Sequence, residues 1–427
     1  MMNNTVARIL ALLSLVVTLA MPSLASAQGY TFYVAPTGSD TNPGTLAQPW
    51  GTLRHAVAQL RAGDTLYLRG GTYTGAANVI DSQTASVPSG TSWASAVTIA
   101  GYPGEVAAMQ PPNNMSAIRL TTGAPHYLVF QDFEINMTNN TVVAHSGGAD
   151  GVYVANGSHH NRFLRLTVHD NVANCFQLTN SQATAESRFN EIVDSTIHTC
   201  GNVHGGGGDS DAYAIYNSTD DTRIEGNDIY NIGAYGITAY GSRHIIRNNR
   251  IHQTGVASGD TSFAIVIGSS AHTSASLDVQ IYNNLLYDNL GGIMLYSNSG
   301  RAQVYNNTIA NNRVFEGIAT LYYAAGSTIR NNIVVGNGAA IVDYGPGGHT
   351  IDHNLEVNPR FVNAAAGDFQ LQSTSAARDA GATISVVTTD FAGTARLGTY
   401  DIGAFEYADA DATALSAPVN LRVVQVQ

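Results

Sequence analysis

The chain has 427 residues and a formal net charge of −12, and all 19 of its basic residues are arginine. That balance argues against nucleic acid and against an anionic membrane surface as partners. Two cysteines are too few for a disulfide scaffold or a zinc-ribbon pattern.

Residues 1–27 read as an export signal. Arg8 gives the positive start, "ILALLSLVVTLA" the apolar stretch, and "ASA" a small-residue cleavage site before Gln28. The apolar run is too short to span a bilayer, and no later run is long enough. A secreted protein is expected, or a periplasmic one where the cell has an outer membrane, with no membrane insertion. Residues 28–78 follow as an N-terminal cap. Within it Leu53, Ala56, Val57 and Leu60 recur at helical spacing and predict an amphipathic helix.

From about Val79 to Val362 the chain repeats. Six stretches place an asparagine three positions after an apolar residue: "IEGN" at Asn227, "IRNN" at Asn249, "IYNN" at Asn284, "VYNN" at Asn307, "IRNN" at Asn332 and "IDHN" at Asn354. The gaps are 22, 35, 23, 25 and 22 residues. Strand-like segments such as "YGITAY", "FAIVIG" and "GIMLY" fill the intervals, and Ser195 in "IVDS" is a degenerate rung upstream. Repeats this short with no helical period indicate a solenoid. Alternating strands, a recurrent corner asparagine that tolerates left-handed backbone, and 43 glycines select an all-β, right-handed parallel β-helix. Residues 363–407 then close the solenoid. The Ala/Asp/Pro-rich residues 408–427 read as a linker or tail.

Two motifs carry a family resemblance. The N-terminal "YVAPTGSDTNPGTLAQPWGTLRHAVAQLRAGDTLYLRGGTY" and the C-terminal "NPRFVNAAAGDFQLQSTSAARDAGA" with "DFAGTARLGTYDIGAFEY" resemble the ends of secreted bacterial β-helix proteins of the pectate-lyase-like, carbohydrate-active superfamily. The resemblance implies a strand and helix capping the first coil and a polysaccharide as partner. It does not select a reaction, because one fold hosts many chemistries. A monomer is expected.

Corner lengths point to a site. From the apolar residue after the ladder to the next strand most coils take 7 to 9 residues, but Ile197 to Tyr213 takes 16 and Ile251 to Phe263 takes 12. Stacked coils raise both insertions from one edge, as two walls around a floor. One wall contains "NVHGGGGDSDAY", whose glycines let backbone approach a ligand closely. Its Asp209 and Asp211 suit a Ca2+ site or a pair of acid/base carboxylates, and a solvated loop is the third possibility. His204 shares that loop.

Two outward columns flank the edge. His169, His198, Tyr230, His252 and Tyr287 precede the long corners, and Tyr216, Tyr240, Tyr296 and Tyr344 follow them on the strands. Aromatic faces stack on sugars, although such columns also align coils. Cys175 and Cys200 lie 25 residues apart, near one period, which leaves a disulfide and a pair of buried thiols both open.

Three functions fit. A uronate lyase must neutralise the C6 carboxylate, remove the C5 proton and protonate the leaving oxygen. The chain has no lysine, so this reading rests on His198, His252, Tyr216, Tyr240 or Arg243, with Asp209 and Asp211 as metal ligands or proton carriers. A glycoside hydrolase needs carboxyls roughly 5–9.5 Å apart, which Asp209, Asp211, Asp170 and Asp260 can supply. A non-catalytic glycan-binding or adhesion module is the third. His169, Tyr230, Tyr296 and His204 are the expected substrate contacts.

Overall fold

A computed structural model describes residues 29–142, 149–180, 186–201, 213–257, 262–268, 275–321, 324–345 and 347–407. The expected helix forms as α1, Leu53–Gln59, capped by the Thr52 side chain accepting from the His55 N–H and burying Leu53, Ala56 and Val57. Residue 60 closes it, since burial of Leu60 is kept after the helix turns to extended backbone.

The solenoid is built from three parallel sheets. The first holds twelve strands, from Thr31–Val34 to Thr350–Asp352. The second holds ten, from Gly71–Thr74 to Ile333–Val335, and the third ten, from Ile80–Asp81 to Ala339–Asp343. Each coil runs first sheet, ladder corner, second sheet, long corner, third sheet, and a third corner back to the first. Side chains alternate in and out, so one inner row of the first sheet reads Phe130, Phe163, Ile192, Ile224, Ile246 and Ile281, each fully buried. Phe130 and Phe163 stack in it with centroids 5.4 Å apart.

The six predicted asparagines share one corner. The Nδ2 of each donates to the Oδ1 of the next, Asn227 to Asn249, Asn284, Asn307, Asn332 and Asn354, at 2.9–3.0 Å. Each Nδ2 also reaches a core-strand carbonyl, as Asn249 does at Ile224 (3.0 Å). Ser195 continues the row, donating its N–H to Asn227 Oδ1 at 3.0 Å. The left-handed backbone falls on the preceding residue instead: Gly226, Asn248, Asn283, Asn306, Asn331 and His353 have φ between 49° and 70°. The doubled "NN" of the repeat therefore divides two tasks, backbone turn and side-chain rung.

Among the described residues the closing segment packs on two of the three sheets. Ile384, Val387 and Tyr400 pack on Tyr282 of the first sheet, while Phe369 and Leu371 cover Leu285 and Ile333 of the second. On the third sheet's outer side, Phe263, Val266, Met294, Tyr296 and Phe315 form an apolar cluster with no closing-segment member among the described residues.

Candidate functional site

The histidine column exists, and its geometry limits what it does. His169, His198, Tyr230, His252 and Tyr287 lie in one register of the second sheet. Their rings are 4.9–5.3 Å apart and within 12° of parallel. Faces so stacked cover one another, and Phe369 meets Tyr287 at the far end (4.9 Å). The inner rings offer edges, not faces, to a sugar. Polar edges are also engaged: His169 Nε2 meets Glu134 Oε1 at 3.0 Å, and His198 Nδ1 meets Thr199 Oγ1 at 3.0 Å. Burial, then His169, holds the His198 imidazole below its ordinary range.

The tyrosine column is corrected. Tyr216 is in register with Thr238, while Tyr240 lies two residues beyond. Tyr296 does follow Tyr240, because Ala239, Ile267 and Leu295 are register partners. The slip arises at the long corner, where the inner residue matching Ile237 is Ile215 rather than Tyr213. Tyr216 and Tyr240 still meet edge to face, with centroids 5.3 Å apart.

Arg243 stands elsewhere. It sits on the third corner at φ 60°, pairs with Asp221 at 2.7 Å and Asp220 at 3.0 Å, and is not beside His198 or His252 of the second sheet. His204, Asp209, Asp211 and Asp260 lie outside the described residues. Asp170 is described, 3.0 Å from His169 Nδ1. Among the described residues no group of three or more His, Cys, Asp or Glu is arranged to hold a metal.

What the structure adds is a row on the third sheet's outer side. Asp81, Arg119, Tyr153, Gln177, Tyr216 and Thr238 occupy one register on successive coils. They point outward because Ile118 and Leu120, Val152 and Val154, and Phe176 and Leu178 take the inner positions. Arg119, Tyr153 and Tyr216 are half-buried and Gln177 is buried, so the row is recessed. The Arg119 guanidinium lies over the Tyr153 ring at 5.7 Å, its buried Nε has no hydrogen-bond partner, and it makes no ion pair among the described residues.

Behind this row is Asp150, fully buried, with neither carboxylate oxygen hydrogen-bonded among the described residues. Burial pushes its carboxyl up to about 8, while the side chain and backbone of Asn174, and then Arg119, pull it down. Burial, then Asp150, raises the Tyr153 phenol. The base of the adjacent long corner is stapled: Cys175 and Cys200, both fully buried, form a disulfide with Cα atoms 5.8 Å apart. Of the outward row and the acid behind it, the sequence singles out only Tyr216. Arg119, Tyr153 and Asp150 belong to no repeated motif, and their one sequence signal is charge and phenol at the outward position of otherwise apolar strands.

Comparison with known proteins supports the architecture. Residues 32–220 match a family model described as Pel9A-like, right handed beta helix region, and residues 191–355 match one described as right handed beta helix region. Pectate lyase PEL9 of Emericella nidulans is 32% identical over 161 residues, which is 34% of this chain and 35% of that one. The match thus spans about a third of that relative's length. Among solved structures, pectate lyase Pel9A aligns with TM-score 0.58 at 18% identity, covering 90% of this chain and 98% of that one. A rhamnogalacturonan lyase aligns with TM-score 0.63 at 18% identity, covering 86% and 99%. A lacto-N-biosidase from Eubacterium ramulus aligns with TM-score 0.52 at 15% identity, covering 77% and 67%. At these identities the structural likenesses speak for the fold.

Proposed function

We propose that this chain, a pectate-lyase-like right-handed parallel β-helix protein, is an exported polysaccharide lyase acting by β-elimination on a uronate-containing glycan. The observation that supports this reading is the Arg119 guanidinium, which makes no ion pair among the described residues and lies in register with Tyr153 and Tyr216 on the sheet against which no described closing-segment residue packs. A guanidinium offers a fork of donors that matches a carboxylate, and a uronate chain presents one carboxylate per sugar.

β-Elimination needs the C6 carboxylate neutralised so that the C5 proton becomes acidic, and a proton for the O4 that leaves. Arg119 takes the first task. Tyr153, whose phenol is held in the protonated form, suits donation to the leaving oxygen. Tyr216, farther along the row, is assigned as the base: its phenolate takes the C5 proton as the C4–O4 bond breaks and Tyr153 protonates the departing O4. We also propose Asp209 and Asp211 as Ca2+ ligands. This rests on the spacing of the two carboxylates in the sequence alone.

The test is incubation with polygalacturonate, other polyuronates and neutral glycans, following ultraviolet absorbance and reducing ends together. An unsaturated product absorbing near the ultraviolet supports elimination. Reducing ends without absorbance overturn it in favour of hydrolysis, and binding without product overturns both in favour of a glycan-binding module.

A further inference from the structure

The outward row of the third sheet runs on beyond Tyr216, through Thr238, Val266, Met294, Ala319 and Val342, one residue per coil. These side chains point away from the core, because Ile237 and Ala239, Ile265 and Ile267, and Ile293 and Leu295 take the inner positions. The row changes character along its length. Its early half carries Asp81, Arg119 and Gln177, whereas every member from Val266 onward is apolar. Phe263 and Phe315 stack with centroids 5.6 Å apart and cluster with Val266, Met294 and Tyr296 outside the main core. On the long corners beside them Val256 and Val314 are exposed. The charged residues at the ends of these strands are acids. Glu316 accepts from the Tyr344 hydroxyl at 2.5 Å, and Asp343 from the Thr320 hydroxyl at 2.6 Å. Arg313, on the adjoining corner, donates to the Thr254 carbonyl at 3.3 Å. The late half of the row thus holds no cation for a carboxylate, and desolvating one without a partner is costly. Where the two halves meet, Thr238 is 1% exposed and its hydroxyl has no hydrogen-bond partner among the described residues. A buried, unpaired hydroxyl that faces a groove is poised for a partner that arrives with the ligand.

We infer that the late half of the row is a binding subsite for methyl-esterified uronates, with the Thr238 hydroxyl donating to an ester carbonyl and Val266 and Met294 receiving the methyl groups. Esterifying a uronate removes its charge, adds a methyl group and keeps a carbonyl acceptor. Those are the three properties that an apolar row with one orphan hydroxyl selects. The inference rests on the lyase reading for the identity of the chain that lies over Arg119. It goes beyond that reading by giving the groove two unlike ends, one for free carboxylates and one for esters. Arg119 and Met294 are six coils apart along the row, about 29 Å at the usual strand spacing. The subsite therefore reads sugars well away from the bond that breaks, and it selects glycans in which free and esterified stretches share one chain.

The experiment measures binding by electrophoresis through gels that contain polygalacturonate, highly methyl-esterified polygalacturonate or galactan, and follows unsaturated product in parallel. The native protein, Met294→Glu and Thr238→Val are compared. Met294→Glu sets a charge beneath the methyl groups and should weaken binding of the esterified polymer about tenfold. Thr238→Val keeps the shape, removes the hydroxyl and should weaken it about fivefold. Thermal melts check folding, and Met294→Gln replaces Met294→Glu if the charge is not accommodated, with a smaller loss of the same sign. Unchanged binding of the esterified polymer in both variants overturns the subsite and leaves the lyase reading standing. An equal loss on galactan overturns the ester as the ligand. Binding of the esterified polymer that depends on Met294, with no unsaturated product from any polyuronate, overturns the lyase reading and supports the subsite. Absence of native binding to both polyuronates overturns both.

Discussion

Asn249 and Asn284 are 35 residues apart in sequence and one rung apart in space, the Nδ2 of Asn249 donating to the Oδ1 of Asn284 at 3.0 Å. Everything between them leaves and returns to the same corner. The Asn249 N–H also donates to that oxygen at 3.0 Å, so Asn284 satisfies two buried donors of its neighbour. Replacing Asn284 by Ala strands both and removes its own bond to the Ile246 carbonyl. A loss of about 1–3 kcal/mol is expected in urea unfolding. Asn284→Asp should be worse than expected from size alone, because a carboxylate cannot donate to Asn307 Oδ1.

The Cys175–Cys200 bridge closes a loop of 25 residues and ties two adjacent coils at the long corner. Cross-linking a loop of that size contributes about 3 kcal/mol, chiefly through the unfolded chain. The double change Cys175→Ser, Cys200→Ser should lower the unfolding midpoint by that amount, and reductant should lower the native protein's midpoint similarly once the buried bridge is reached. A midpoint unmoved in the double variant counts against the bridge.

His244 predicts an acid limb of stability. It is fully buried, its Nδ1 accepts from the Thr222 N–H at 3.2 Å, and burial lowers its pKa from 6.5 to about 4. The folded state thus holds fewer protons than the unfolded one below pH 6.5. Its contribution is complete above that value and falls away down to about pH 4, at up to about 1.4 kcal/mol per unit. Two and three coils earlier the same position is Asn190 and Asn161, where Asn190 Oδ1 accepts the Asn161 N–H at 3.1 Å. His244→Asn should therefore fold and should flatten the midpoint between pH 6.5 and 4. A profile as steep as the native one assigns the acid limb to other groups, the stacked His198 first.

The fold was legible because its signal repeats. Each coil from Asn227 to Asn354 places one asparagine on the rung, and the period carries the strands with it. The site was less legible, for a reason visible at Tyr216. Counting the inner strand residue from Tyr213 instead of Ile215 slips the register by two, and a slip of two leaves every side chain on its expected face. Alternation alone cannot reveal it. Arg119 and Tyr153 were missed because they sit on early strands that precede the ladder, where no repeated letter marks the outward row. Asp150 was missed because its burial depends on three coils at once.

Metal removal tests the loop that carries Asp209 and Asp211. If Asp209 and Asp211 hold Ca2+, a chelator should lower the activity or the melting temperature of the native protein, and added calcium should restore it. The double change Asp209→Asn, Asp211→Asn should abolish that calcium response. A native protein indifferent to chelator and calcium sinks the metal role, and a double variant with full activity sinks the acid pair as well.

Two arginines separate the site read from sequence from the site read from structure. Arg243 is half-exposed and held by Asp221 and Asp220, which raise its pKa further and engage its Nε and Nη2 in ion pairs on the third corner. Arg119 has no counter-ion among the described residues and lies over Tyr153 in the recessed row. Removing a surface ion pair costs little, typically under about 1 kcal/mol. Arg243→Gln should then leave the kcat/KM for a polyuronate within about twofold, with a small drop in stability. Arg119→Gln should cost at least about a hundredfold in kcat/KM, since a charge-assisted, bidentate contact to the C6 carboxylate is lost where the transition state needs it. Arg119→Lys should recover part of that loss, because a point charge neutralises the carboxylate without the fork geometry. Equal losses at both positions, or a larger one at Arg243, would place the substrate on the third corner and refute the row.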